Sequence, residues 1–295
     1  MGPRAALRAL LRDRDLVVAP GAYDGMGAKL VEQAGFSAVY MTGAGTAAAL
    51  GFPDLGLATM SEMVANAGTL ARSVDIPVIA DADTGFGNEL NVTRAVREYE
   101  GRGVAAVHIE DQVTQKRCGH LDGKEVVSRD EFTSKIRAAV AARRDPDFVI
   151  IARSDAGATH GLDEAIARVN EALAAGADIA FVEAARSLEE LASIPQGVRG
   201  PCLLNIVRGG KTPDLDFAAA RAMGYRLAIL PSLLIVAAMD AFDEALQALR
   251  KTDAPPSSAG GPPVSERFRR LGSDEWMALG ERFRSDRSAP ALAAE

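Results

Sequence analysis

Five consecutive residues, Lys116-Arg117-Cys118-Gly119-His120, carry a thiol flanked by potential cations on a loop that contains glycine. A free cysteine titrates near ~8.5, and adjacent Lys, Arg or His⁺ lowers that value, so Cys118 is expected to exchange a proton near neutral pH. The alternative is an ordinary small residue in a surface loop; the clustered charges favour chemistry. Upstream, Asp81 and Asp83 are spaced so that on a continuing strand both carboxylates point to one face, and His108 and Glu110 share a face for the same reason. Carboxylates from adjacent strands make a hard-oxygen site suited to Mg²⁺ or Mn²⁺, with waters completing the shell. With only 3 histidines and no zinc-like spacing of His and Cys, zinc is disfavoured. His108 is therefore expected to be a hydrogen-bonded inner residue.

These groups can meet only if separate elements bring them together. Short β-favouring runs occur at 16–19, 38–41, 78–81, 106–110, 148–153, 179–183, 202–205 and 227–230. Segments with helical spacing follow them, among them 89–102, 129–142 and 163–175, and several end at Gly before the next strand. Repeated βα units in one composition regime predict an α/β fold, a (β/α)8 TIM barrel in preference to an open doubly wound sheet. Thr42, Asp81, Asp83, Glu110, Arg153, Glu183 and Asn205 all fall at or just after strand C-termini, where barrel enzymes build their sites. Any one of them can be explained as a cap for the following helix. The set is explained poorly that way.

At 295 residues with 48% hydrophobic and 25% charged content, the chain is long enough for one large barrel domain. A net charge of −7 argues against a nucleic-acid partner, because phosphate neutralisation needs a basic surface. The 2 cysteines sit in unlike settings, Cys118 in a polar loop and Cys202 in an apolar run, so no disulfide framework is expected and a reducing cytoplasm is the natural compartment. Residues 1–15 interleave Arg and Asp with Ala and Leu, which reads as an amphipathic helix in place of a secretory signal. No run of about 20 apolar residues appears, so no membrane span is expected.

A family resemblance rests on motifs that occur in order: Gly21-Ala22-Tyr23-Asp24, Met41-Thr42-Gly43-Ala44-Gly45, Gly51-Phe52-Pro53-Asp54-Leu55-Gly56, Asp81-Ala82-Asp83-Thr84-Gly85-Phe86-Gly87, His108-Ile109-Glu110-Asp111-Gln112, and 116–120. Ile151-Ala152-Arg153-Ser154-Asp155-Ala156 and Gly209-Gly210-Lys211-Thr212-Pro213 continue the pattern. Together they resemble the isocitrate lyase/phosphoenolpyruvate mutase superfamily, in its methylisocitrate lyase-like and carboxyphosphonoenolpyruvate mutase-like branch. The resemblance implies a Mg²⁺-dependent enzyme acting on a small carboxylate, with Asp81 and Asp83 at the metal and Asp54 and Glu110 supporting its waters. Thr42, Gly43 and Ala44 would donate to the substrate, Arg153 and Asn205 would hold a carboxylate, and Glu183 would orient Arg153 or a bound water. Residues 116–120 would form a mobile gating loop, with Lys116, Gly119 and His120 closing on the substrate and Cys118 as proton donor. The activity implied is carbon–carbon cleavage of a 2-hydroxy di- or tricarboxylate to an α-keto acid and a second carboxylate. A phosphonomutase, an oxaloacetate hydrolase or decarboxylase, and a non-catalytic binding barrel are the alternatives.

One position departs from the pattern. Methylisocitrate lyases have an Arg near the position of Val236 that engages an extra substrate carboxylate, and this chain has none there. An unpaired carboxylate against apolar neighbours is costly, which favours a substituted malate such as 2,3-dimethylmalate over a tricarboxylate. After a barrel spanning 1–250, residues 251–263 read as a Pro/Gly/Ser linker and 264–295 as a C-terminal helix and tail, the helix expected over 266–284. The resemblance implies that this helical extension is exchanged between subunits of a homodimer or homotetramer; docking on its own barrel is the alternative.

Overall fold

A computed structural model describes residues 1–252, 254–255 and 261–284. It separates into two compact units, Met1–Asp240 and Ala241–Glu295. In the first, eight parallel strands close a barrel in sequence order: β1 Val17–Ala22, β2 Val39–Met41, β3 Val78–Asp81, β4 Ala106–Glu110, β5 Val149–Ser154, β6 Ile179–Val182, β7 Cys202–Asn205 and β8 Leu227–Leu230. β1 pairs with β8 from Val17↔Leu227 to Pro20↔Leu230, which seals the ring. The helices are α1 Pro3–Asp13, α2 Gly25–Gln33, α3 Gly43–Ala49, α4 Met60–Ala71, α5 Glu89–Gly101, α6 Arg129–Ala142, α7 Leu162–Ala174, α8 Leu188–Gly197, α9 Phe217–Met223, α10 Leu233–Thr252, α11 Val264–Arg269 and α12 Ser273–Arg284.

Strand periodicity sorts the core into two shells. Val17, Ala19, Tyr40, Ile79, Ala106, Val149, Ile151, Ile179, Phe181, Leu203, Leu227 and Ile229 fill the barrel interior, while the intervening residues pack against the surrounding helices. Small residues such as Ala19 and Ala106 offset large ones such as Phe181, so the interior is filled by side chains. Leu7 of α1 joins this interior cluster, fully buried. Arg4 reaches the Val104 carbonyl at 3.2 Å and Arg8 pairs with Asp178 at 2.8 Å, just ahead of β4 and β6. α1 therefore plugs the N-terminal end of the barrel and leaves the C-terminal end open for chemistry. β1 runs further than its apolar residues imply, through Pro20 and Gly21, and a Cβ at Gly21 would lie 2.6 Å from the Pro231 carbonyl oxygen. Glycine permits that approach.

Caps fix where the helices start. Asp24, Thr42, Asn88, Ser128, Ser187 and Asp216 each accept a backbone N–H of the helix they precede, and Thr59 with Glu62 forms a full capping box. Two boundaries differ from expectation at the C-terminal end. α10 continues to Thr252, so residues 251–252 are helical, and the helix expected over 266–284 is two helices separated at Gly272, whose φ of 93° is left-handed. Of the expected linker and tail, residues 253, 256–260 and 285–295 lie outside the described residues.

Candidate active site

The ends of β2, β3 and β4 assemble an acidic half-site. Asp81 closes β3, and its carboxylate accepts the Asp83 amide at 2.9 Å and the Gly43 amide at 3.2 Å. A Cβ at Gly43 would land on that carboxylate, so the tight turn into α3 requires glycine there. Burial opposes ionisation of Asp81, but His108, Lys116 and Arg153 outweigh it and hold the carboxyl down at about 2. Burial drives Asp83 up to about 6, with Lys116 pulling down and Asp81 adding to the rise. Asp83 also carries a left-handed φ of 45°, a conformation non-glycine residues adopt at a cost and one that clusters at functional sites. Lys116 reaches across to Asp54 at 2.5 Å and Asp83 at 2.9 Å. Burial works against its charge, and the carboxylates of Asp83, Glu110, Asp54 and Asp81 more than restore it. His108 is fully buried, 2.7 Å from the Tyr40 hydroxyl, and burial lowers its pKa to about 4. It is the hydrogen-bonded inner residue expected.

The ends of β5, β6 and β7 build the opposite half. Arg153 is held by Asp155 through Nε at 2.9 Å and Nη2 at 3.2 Å, and Nη1 lies 3.2 Å from Glu110. The guanidinium stacks over the Phe181 ring at 5.1 Å. Burial pushes Glu110 well above the usual carboxylate range despite Arg153. Glu183 receives the Asn205 amide at 3.1 Å on both oxygens and lies 3.1 Å from His120 Nε2. Burial raises Glu183, but Arg153, His120 and Asn205 overcome it and bring the carboxyl to about 2. The Lys211 amide donates to His120 Nδ1 at 2.9 Å, which leaves Nε2 as the protonated nitrogen facing Glu183.

Residues 118–120 cover both halves. Cys118 donates its backbone N–H to the Asp54 carbonyl at 3.1 Å, and Gly119 packs against Glu183 and Arg153 so closely that a Cβ would stand 2.5 Å from Glu183 Oε1. The expected effect of neighbouring cations on the thiol is corrected here. Burial raises Cys118 above its ordinary value, and Asp54 adds to the rise. Lys116 directs its charge to Asp54 and Asp83, while Arg117 is anchored through its backbone to Gln112 at 2.9 and 3.0 Å. The result is a protonated thiol, the form a proton donor needs.

Between the halves is a cavity of about 130 Å³. Thr42, Ala44, Asp54, Asp81, Cys118, Gly119, His120, Arg153, Glu183 and Asn205 all line it. Asp83 and Lys116 border an adjoining cavity, and Glu110 is buried against Arg153. Thr42 lines the cavity and also caps α3. Sequence reading missed Tyr40, Phe181 and Ile229, which form the floor, and Asp155 and Lys124, which brace Arg153 and the loop. Tyr40 sits two residues before Thr42 and Asp155 two after Arg153, so strand alternation would have found both. An apolar wall is made by Val207, Pro231 and Ile235 beside Ser232. The reading at Val236 shifts by one residue: Val236 is 43% exposed, and Ile235 is the α10 side chain that faces the cavity.

The acidic half suits a divalent ion. Ion-pair contacts reach Asp83 Oδ1 and Glu110 Oε2, yet neither oxygen, nor Glu110 Oε1, has a well-formed hydrogen bond, which leaves hard acceptor oxygens available to a metal ion or its waters. Among the described residues no three His, Cys, Asp or Glu side chains converge as a complete ligand set, so an ion would take much of its shell from water, the habit of Mg²⁺.

The chain matches the family model described as phosphoenolpyruvate phosphomutase over residues 7–250. It is 49% identical over 254 residues to 2,3-dimethylmalate lyase of Eubacterium barkeri, covering 86% of this chain and 88% of that protein. It is 45% identical to 2-methylisocitrate lyase of Aeropyrum pernix over 245 residues, covering 83% and 79%. Among solved structures, oxaloacetate acetylhydrolase in complex with the inhibitor 3,3-difluorooxalacetate matches with a TM-score of 0.91 at 41% identity, covering 95% of this chain and 98% of that one. Phosphonopyruvate hydrolase in complex with oxalate and Mg²⁺ matches with a TM-score of 0.87 at 34% identity, covering 96% and 99%.

Proposed function

The chain belongs to the phosphoenolpyruvate phosphomutase family, and on that premise we propose that it is a divalent-metal-dependent lyase that splits a 2-hydroxy dicarboxylate resembling 2,3-dimethylmalate into an α-keto acid and a second carboxylate. The observation that carries this reading is the mixed lining of the cavity. Arg153, His120, Asn205 and Thr42 contribute polar groups, and Val207, Ile229, Pro231 and Ile235 contribute apolar ones. A substrate with one carboxylate on Arg153 and alkyl substituents on the apolar wall satisfies both sets. A third carboxylate would face the apolar residues without a cation.

Asp81 and Asp83 would hold Mg²⁺ or Mn²⁺, with Asp54 and Glu110 on its waters, and the ion would supply the positive charge that eases loss of the hydroxyl proton and stabilises developing oxyanion charge. The chain's own groups do the rest. Arg153, held in orientation by Asp155, offers donors to a carboxylate, and Asn205 fixes Glu183 beside it by donating to both of its oxygens. As the hydroxyl proton leaves, the bond between C2 and C3 breaks. The keto acid takes the C2 fragment, and the electron pair stays on C3, conjugated with its carboxylate. The Cys118 thiol gives that carbon its proton, and the thiolate recovers one from the pool into which the hydroxyl proton passed. Residues 116–120, closed over the site, keep water from competing.

The likeness to oxaloacetate acetylhydrolase supports a second reading, hydrolysis or decarboxylation of oxaloacetate on the same groups. The test is a panel of 2,3-dimethylmalate, 2-methylisocitrate, oxaloacetate and phosphonopyruvate with Mg²⁺. We expect the highest kcat/KM with dimethylmalate; turnover of only oxaloacetate or phosphonopyruvate would replace this reading. Assembly into dimers or tetramers through the C-terminal helices is supported by exposed apolar side chains there, including Phe242, Leu246, Trp276 and Phe283. The barrel is proposed as one catalytic domain ending near 250. Both cysteines are free, which supports a reducing, cytoplasmic setting; no helix among the described residues is long and apolar enough to cross a membrane.

A further inference from the structure

Lys124 does not line the cavity, yet its side chain is almost wholly buried, at 1% exposure. A buried ammonium persists only with partners that offset its desolvation. Lys124 has two. Nζ donates to the Gly119 carbonyl, at the centre of the gating segment, and lies 3.2 Å from Asp155 Oδ1. That same oxygen accepts Nη2 of Arg153 at 3.2 Å, and Oδ2 accepts Nε at 2.9 Å. Asp155 is itself fixed, its amide donating to Asp111 Oδ1 at 2.8 Å, and Asp111 is paired with Arg168 at 3.2 Å. One ammonium thus joins the backbone of the closed loop to the carboxylate that aims the guanidinium.

We propose that Lys124 is the latch of the gating loop and a positioning residue for Arg153, making loop closure and alignment of the carboxylate-gripping guanidinium a single event. When the loop lifts, Gly119 withdraws its carbonyl, and Lys124 is left with Asp155 alone. The shared carboxylate then redistributes between two cations in place of being pinned by both. When the loop closes, Lys124 holds Asp155 from behind, and the Gly119 backbone is pressed onto Arg153 and Glu183, where only a glycine fits. The role of Arg153 rests on the proposed function; the latch itself does not, and the two are measured separately.

The experiment follows alkylation of Cys118 by iodoacetamide, mapped by peptide mass spectrometry so that Cys202 does not interfere, with and without oxalate and Mn²⁺. In Lys124→Met the loop should open more often, and Cys118 alkylation without oxalate should accelerate about tenfold or more, the factor expected for one lost charge-assisted hydrogen bond. Protection by oxalate should weaken in parallel. Mn²⁺ affinity without oxalate should be unchanged, and KM for the best panel substrate should rise together with a fall in kcat. If Lys124→Met does not fold, Lys124→Gln, which keeps the unbranched stem and an amide donor, should show the same acceleration to a smaller degree. Wild-type alkylation rates in the folded variant would overturn the latch. Absence of turnover by wild type on the panel, with the alkylation change intact, would overturn the function and leave the latch standing.

Discussion

Exchanging the Cys118 thiol for a hydroxyl is the most informative single perturbation. The side chain is half-buried, its pKa is raised by burial and by Asp54, and it lines the cavity beside Arg153 and Glu183. Cys118→Ser keeps the size and the backbone contact to Asp54, but the hydroxyl is a far weaker acid. Loss of a positioned general acid costs roughly 10²- to 10⁴-fold in rate, or about 3–5 kcal/mol of transition-state stabilisation. KM should change little, because Arg153, Asn205 and the metal carboxylates stay in place. Stability should move by no more than about 0.5 kcal/mol, since no buried apolar group or paired charge is lost. The pH profile gives an independent check. A proton donor works only while protonated, so wild-type kcat should hold through neutral pH and fall as pH rises through a thiol pKa above the ordinary cysteine value. Cys118→Ser should lose that alkaline limb. The assay is keto acid release coupled to lactate dehydrogenase across the neutral and alkaline range. Near-full activity in Cys118→Ser, or an alkaline limb unchanged by the substitution, would refute the donor assignment.

Gly119→Ala would place a Cβ 2.6 Å from Arg153 Nη2 and 2.5 Å from Glu183 Oε1, so kcat/KM should fall by more than about tenfold, with a melting temperature close to wild type because the clash arises only on closure. Ile235→Arg adds a cation to the apolar wall and should lower KM for 2-methylisocitrate by about tenfold or more while raising that for 2,3-dimethylmalate; no shift in their ratio would show that the wall does not select substrate. Phe242→Asp with Leu246→Asp, at positions 62% and 63% exposed, should convert an oligomer to monomer in sedimentation velocity, and a wild-type chain already monomeric at micromolar concentration would remove the proposed assembly.

The barrel was legible because each strand is a short β-branched or apolar run bounded by Gly or Pro and followed by a helical pattern, a signal that survives errors of a residue or two at the ends. The acidic half-site was legible for the same reason: Asp81 and Glu110 end strands whose alternation points them inward. What sequence adjacency misjudged is electrostatics. Lys116 and Arg117 stand next to Cys118 in the chain, but one side chain reaches to Asp54 and Asp83, and burial then decides the thiol's pKa. Helix phase was equally out of reach, since a rotation of about 100° per residue separates Ile235 in the cavity wall from Val236 outside it. The break between α11 and α12 was readable, because Gly272 followed by Ser273 is a helix stop beside a helix start. Lys124 carried no signal at all; its importance lies in contacts to Gly119 and Asp155 that only the closed loop creates.

The central claim, cleavage of a carbon–carbon bond followed by delivery of one proton to the carbon left behind, is tested most directly by NMR of the reaction of 2,3-dimethylmalate with Mg²⁺ in D₂O. The account predicts pyruvate and propionate in equal amounts, the propionate carrying a single deuterium at C2. Recovery of unchanged dimethylmalate, under conditions in which oxaloacetate or phosphonopyruvate is consumed, would contradict it.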